Sequence, residues 1–275
     1  MARYDLIEMS LWQEIGDRVW VRRYPLLDQT IGAVAGDDGL LVVDSRMSPR
    51  RGTELKADLR ELAAPVRWLV NTHYHYDHCW GNSAFQGAAL WAHERCPATL
   101  VARSEEWWAR LIADDPVHAD EYREVVVVPP RHLFDDVATI DLGGRTVELR
   151  YLGRGHTDCD VVVRVPDAGS LFAGDLLENG APPYFDDGFP LDWPVTVEAL
   201  LALVDGPVAP GHGDVADRAF VEAQLAELRL VADLGRQVAV GELDLRAAAA
   251  RGPYGPAASR SPIDRAAAQA RGDLA

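Results

Sequence analysis

The stretch "NTHYHYDHCWGN", residues 71–82, sets three histidines and an aspartate within six consecutive positions: His73, His75, Asp77 and His78. It follows the apolar run "VRWLV", so the cluster stands where a buried strand ends. In an extended segment, side chains at i and i+2 share a face, and His73 and His75 can grip one ion together. Gly81 and Asn82 then start a turn that sends Asp77 and His78 in a different direction. One short loop can thus serve two neighbouring metal ions. The plain alternative is a polar strand end with its histidines in water, and a single histidine would be read that way. With only eight histidines in 275 residues, three at this spacing are read as ligands.

Further ligands stand at downstream strand ends. "LGRGHTDCD" presents His156 after Gly155, "LFAGDLLE" presents Asp175 directly after an apolar run and Gly174, and "APGHGD" sets His212 between two glycines. Glycine at each place lets the backbone bend close to a bound object. Each position alone is a turn signal. After one HxHxDH the three form a constellation.

The elements around these motifs alternate. "RVWVRRY" and "TIGAVAGDDGLLVVDS" read as strands, the second as a hairpin across "GDDG". A helix over "PRRGTELKADLRELAA" and a buried strand "VRWLVN" follow, then a strand "ALWAH" and a helical stretch from Cys96. The second half repeats strands, a helix over "PVTVEALLALVDG", a strand "PVAPGHG" and a long amphipathic helix from Asp217. This order predicts an α/β (α+β) chain of two similar halves packed sheet to sheet. Residues 1–240 are expected to form the domain, and 241–275 a tail that packs on it or is partly mobile.

The series His73, His75, Asp77, His78, His156, Asp175 and His212 resembles the metallo-β-lactamase superfamily, in the family's order, over about residues 15 to 235. The resemblance implies a four-layer αββα sandwich with the site at one edge between the sheets. It implies one metal on His73, His75 and His156, a second on Asp77, His78 and His212, and Asp175 bridging them. It places Asp44 as an acidic support behind the histidines. The family's zinc β-lactamases that use a cysteine ligand carry it where this chain has Asp175, so the set is more similar to the glyoxalase II-like hydrolases. Two Zn2+ ions are expected, and a bridging carboxylate also admits Fe or Mn. Between such ions a bridging water ionises near neutral pH and attacks a carbonyl or phosphorus centre. Asp77 is the group expected to orient it and shuttle its proton.

Composition trims the alternatives. A net charge of −16 repels polyanions, so nucleic acid is not an expected partner, and no segment approaches a membrane span. Lys56 is the only lysine, so an anion clamp must be arginine or backbone N–H. The opening residues lack the pattern of an export signal, and Cys79, Cys96 and Cys159 are an odd set without CxxC spacing. A cytoplasmic protein acting on a small molecule is expected, its oligomeric state open. His93, His118 and His132 are read as outside the ligand set, the latter two in polar turns facing solvent. Cys79 and Cys159 are read as small buried side chains, and Trp107 and Trp108 as one core and one rim residue. The loop "ENGAPPYFDDGFPLDWP", residues 178–194, has the length and aromatics to wall a substrate pocket. Asn179, Tyr184 and Trp193 on it are candidates for supporting the ligands or touching substrate. Its Asp186, Asp187 and Asp192 are expected to discourage strongly anionic substrates, with Arg154 the partner for any single carboxylate. A small ester, thioester, lactone or amide follows as substrate. An iron oxidoreductase of the persulfide dioxygenase kind and a β-lactamase are the alternatives. Nucleic-acid processing and a non-catalytic metal-binding role are the weaker readings.

Overall fold

The computed structural model describes residues 11–274. The first ten residues, on which part of the export-signal reading rests, lie outside them. The chain runs β1 (Gln13–Gly16), β2 (Val19–Tyr24), β3 (Gln29–Ala35), β4 (Leu40–Val43), α1 (Pro49–Asp58), β5 (Val66–Val70), α2 (Tyr76–Cys79), β6 (Ala89–His93), α3 (Cys96–Asp114) and α4 (Ala119–Arg123). It continues β7 (His132–Phe134), β8 (Val137–Asp141), β9 (Thr146–Tyr151), β10 (Val161–Val165), β11 (Ser170–Asn179), α5 (Trp193–Leu201), β12 (Val208–Gly213), α6 (Arg218–Ala239), α7 (Leu245–Ala249), α8 (Gly255–Ala258) and α9 (Arg260–Arg271).

Strand pairing gives β7-β6-β5-β4-β3 with β2 and β1 on one side, and β12-β11-β10-β9-β8 on the other. One residue pair, Gln29 with His212, joins them. The strands read as continuous apolar runs because both of their faces are covered. On β4, Leu40 and Val42 pack with Leu55 and Leu59 of the α1 segment, whereas Leu41 and Val43 turn the other way, toward Val147, Leu149 and Phe172 of the opposing sheet. On β10, Val161 and Val163 join that inter-sheet core while Val162 faces Trp193, Val197 and Leu228 under α5 and α6. Period-2 alternation thus builds helix, sheet, sheet and helix layers. Each fully buried Val or Leu stabilises by about 1.5–3 kcal/mol.

Three local readings change. β11 runs through Asp175 to Asn179 rather than stopping before it, because it bulges at Gly174, where the register shifts. Gly174 has φ +53°, and a Cβ there would lie 2.8 Å from Thr72 Cβ. The bulge re-aims Asp175 without ending the strand. His132 lies on the edge strand β7, exposed and stacked on Trp91, not in a turn. His118 is half-buried and bonded to Asp115 rather than solvent-facing. Residues 245–271 form three short helices, with Ile263 and Ala266 of α9 buried against the α6 layer.

Candidate metal centre

The seven polar residues arrive from four places. His73, His75, Asp77 and His78 follow β5; His156 sits between β9 and β10; Asp175 is at the β11 bulge; His212 is on β12. Their potential ligand atoms fall into two groups, each within 4.8 Å: His73, His75, His156 and Asp175, and then Asp77, His78 and His212. His156 Nε2 is 2.8 Å from His75 Nδ1, and His78 Nε2 is 3.3 Å from His212 Nε2. Asp175 stands between the groups. Its oxygens lie 3.7 Å from His73 Nε2, 3.4 Å from His156 Nε2, 3.3 Å from His78 Nε2 and 3.4 Å from His212 Nε2.

Each histidine turns one nitrogen inward because its other nitrogen is held from behind. His73 Nδ1 meets Thr72 Oγ1 at 3.0 Å, His78 Nδ1 meets Asp44 Oδ2 at 2.8 Å, and His156 Nδ1 meets the Tyr184 carbonyl at 2.9 Å. His212 Nδ1 meets the Leu27 carbonyl at 2.7 Å, and His75 Nε2 meets Asp187 Oδ1 at 3.0 Å. Such outer contacts fix tautomer and ring orientation in metal sites. The buried His73 Nε2 and Asp175 Oδ1 have no hydrogen-bond partner. Orphaned inward atoms among imidazoles and carboxylates are what a cation would satisfy, so the residues fit a metal group.

The charges sort the same way. Burial, with His78 nearby, holds His73 well below its ordinary value, and burial takes His156 down to about 4. Burial opposes the charge on His78 and His212 as well, yet Asp175 and Asp77 hold both well above theirs. Asp77 and Asp175 are kept well below the usual carboxylate range by those histidines, against the cost of burial. Burial and the Asp175 charge push the Glu178 carboxyl up to about 7.

The polar cluster floors a cavity of about 340 Å³, walled by Leu27, Tyr76, Arg103, Trp107, Arg110, Glu178, Tyr184, Asp186 and Asp187. Tyr184 is where the sequence reading expected it. The described residues that line the cavity do not include Arg154, Asn179 or Trp193. Arg154 pairs with Asp192 at 2.7 Å and lies over the Phe189 ring, so it secures the loop instead of facing substrate. Asn179 donates to the Asp214 carbonyl at 2.9 Å. Trp193 is fully buried, donates to the Leu176 carbonyl, and backs the His156 ring at 5.6 Å. Asp44 sits behind the cluster with φ 68°, accepting from Thr72 N, Thr72 Oγ1 and His78 Nδ1, each at 2.8 Å. His93 is buried against Tyr151, and the three cysteines are buried and free. Trp107 is both core and cavity wall, stacking on Tyr74 and edging His75.

The loop's acids are engaged by other side chains. Asp187 bonds His75 and the Tyr74 hydroxyl, and Asp186 accepts from the Tyr184 hydroxyl and pairs with Arg110. Their charge is compensated, and two arginines from α3 face the same cavity. Sequence reasoning missed Asp187, Arg103 and Arg110. The spacing of Arg103, Trp107 and Arg110, at i, i+4 and i+7 of one helix, is the signal that marks them.

The family model described as Metallo-beta-lactamase superfamily matches residues 24–212. The chain belongs to this superfamily. A metallo-beta-lactamase type 2 of Bacteroides fragilis is 32% identical over 98 residues, which is 34% of this chain and 39% of that protein. The type 2 enzyme of Bacillus cereus is 24% identical over 189 residues, 66% of each. The chain therefore spans between two fifths and two thirds of these relatives' length. Among solved structures, the metallo-beta-lactamase from Pontibacter korlensis superposes with a TM-score of 0.64 at 23% identity, over 79% of this chain and 98% of that one. Its fold is the fold described here.

Proposed function

We propose that this chain is a dinuclear metal-dependent hydrolase of a small ester, thioester, lactone or amide. The observation that carries the reading is Asp175, whose carboxylate stands within 3.3–3.7 Å of ring nitrogens drawn from both histidine groups. That placement suits a bridging ligand. His73, His75 and His156 would hold one ion and Asp77, His78 and His212 the other, with Zn2+ preferred and Fe or Mn admissible. When bound, such ions supply Lewis acidity toward the scissile carbonyl and toward water.

The chain's own residues do the rest. Asp77 lines the cavity, is kept ionised by His78 and His212, and is the carboxylate placed to orient the attacking water and take its proton. Asp44, Thr72, Asp187 and the Leu27 and Tyr184 carbonyls keep the inward nitrogens aimed. Tyr184 and Trp107 wall the acyl group and exclude water from one side. Free buried cysteines support a cytoplasmic setting.

β-Lactam hydrolysis is the second reading, because two of the relatives above bear that name. A panel of aryl esters, thioesters, lactones, penicillins and carbapenems on metal-replete protein decides. Turnover of an ester-type substrate, reduced at least a hundredfold in Asp77→Asn with the fold intact, is the expected result. Efficient turnover of β-lactams with none on any ester-type substrate would overturn the choice. Oxygen consumption by an iron-loaded protein would favour the oxidoreductase alternative.

A further inference from the structure

Arg103, Trp107 and Arg110 form one stripe along α3, and all three line the cavity. Trp107 is buried with its ring edge toward His75, at 5.5 Å between centroids, so the stripe begins beside the metal-binding histidines and runs outward. The Arg103 guanidinium lies over the Trp107 ring at 5.4 Å. A planar cation on an aromatic face is held in orientation without spending its N–H donors.

Those donors are poorly used. Arg103 Nη2 is 4.0 Å from Asp187 Oδ2, and its Nε, 3.2 Å from Glu106 Oε2, is buried without a hydrogen-bond partner. Arg110 Nη1 is 3.5 Å from Asp186 Oδ2, and its guanidinium also meets the Tyr184 hydroxyl, which leaves most of its five N–H donors free. The Asp187 and Asp186 contacts are at or beyond the limit of a hydrogen bond, and the Glu106 contact makes none despite its length. The partner carboxylates are shared elsewhere, Asp187 with His75 and Tyr74, and Asp186 with the Tyr184 hydroxyl. Contrast Arg154, closed onto Asp192 at 2.7 Å, or Arg51, which donates to Glu121 and Glu54 at 2.5–3.1 Å. Arg103 and Arg110 are half-exposed cations at the cavity wall with donors to spare, in a chain whose surface is strongly acidic.

We propose that the substrate carries a single carboxylate remote from its scissile bond, held by Arg103 and Arg110 while its apolar body lies against Trp107. The inference rests on the hydrolytic reading above and names the substrate class for that same cavity. Asp186 and Asp187 lie beside the two guanidinium groups and Glu178 is also on the cavity wall, so the pair has positive charge to spare for one carboxylate and not for several. The guanidinium pair sets affinity and orientation, not chemistry, and its effect belongs mainly in KM.

The test compares mono-4-nitrophenyl adipate with 4-nitrophenyl hexanoate, which share leaving group and acyl length and differ in the distal carboxylate. Wild type is expected to favour the adipate ester at least tenfold in kcat/KM, chiefly through KM. In Arg103→Ala/Arg110→Ala that ratio falls to about one, and Arg103→Gln gives an intermediate value. A ratio near one in wild type, or an unchanged ratio in the double variant, overturns the proposal. Should neither ester turn over, the hydrolytic reading falls for these substrates, and calorimetry with monomethyl adipate still decides the anion site. Binding at least tenfold weaker in the double variant than in wild type supports it, and equal binding overturns it.

Discussion

Asp44→Asn tests whether the inward aim of the histidines is set from behind. Asp44 accepts three hydrogen bonds at 2.8 Å, from Thr72 N, Thr72 Oγ1 and His78 Nδ1. His78 Nε2 faces Asp77 and Asp175, while Asp44, an acceptor only, keeps a proton on Nδ1, the tautomer that frees Nε2 for a metal. Asparagine tolerates the φ of 68° at this position, so the backbone is not a confounding change. Its amide, however, must point an N–H2 at Thr72 N–H or at the pair His78 Nδ1–H and Thr72 Oγ1–H. In the better orientation one bond is lost and two pass from charge-assisted to neutral. With charge-assisted bonds near 1.5–3 kcal/mol and neutral ones near 0.5–1.5, one bond lost and two weakened by about 1–1.5 each give a loss of about 3.5–6 kcal/mol. For metal binding, a disturbed outer partner costs on the order of 10–100-fold in affinity. Chelator competition for Zn2+, with far-UV circular dichroism to verify folding, reads this out. A folded Asp44→Asn that holds metal as tightly as wild type would refute the reasoning.

Two further perturbations probe the same centre. A Cβ at Gly211 would fall 1.8 Å from Asp175 Oδ1, closer than any real contact, so Gly211→Ala should displace that carboxylate and lower metal content at both groups while β12 persists; unchanged metal content would show that the site yields easily. Metal loading should also release protons. His78 and His212 are raised above 6.5 by Asp175 and Asp77, so their ionic contacts in the metal-free fold are complete below about pH 6.5 and are lost as pH rises through the raised values. His156, lowered to about 4, works oppositely: its contribution is lost as pH falls from 6.5 toward 4. Calorimetry at pH 7 in buffers of different ionisation heat should therefore show proton release, with the Asp77–His78–His212 group filling at higher pH than its neighbour; zero release would contradict this.

The sequence made the His/Asp cluster legible because its residue types are scarce and their spacing follows strand geometry. Period-2 apolar runs likewise declared both sheets, and the "GDDG" hairpin is the β3–β4 turn. What stayed hidden depends on tertiary contact. Arg154 lies two residues from His156, yet Asp192 and Phe189 draw it away. Arg103 and Arg110 lie far from every motif and reach the cavity because α3 packs across it. Asp187 read as a repelling charge, since nothing local shows that its partners are His75 and Tyr74, over a hundred residues earlier. The Ala- and Gly-rich end read as a tail that packs on the domain or is partly mobile; it packs, and what stayed hidden is that Arg265 donates to the Gly188 carbonyl and Gln269 accepts from Leu191 N–H, so α9 braces the loop over the cavity.

The measurement closest to the central claim is metal stoichiometry with position, by elemental analysis and anomalous diffraction on protein prepared with excess Zn2+. Two ions per chain are expected, about 3.5 Å apart, the separation typical of two-metal hydrolytic sites, with Asp175 in contact with both. One ion or none at full loading, or two ions with Asp175 touching neither, would contradict the claim.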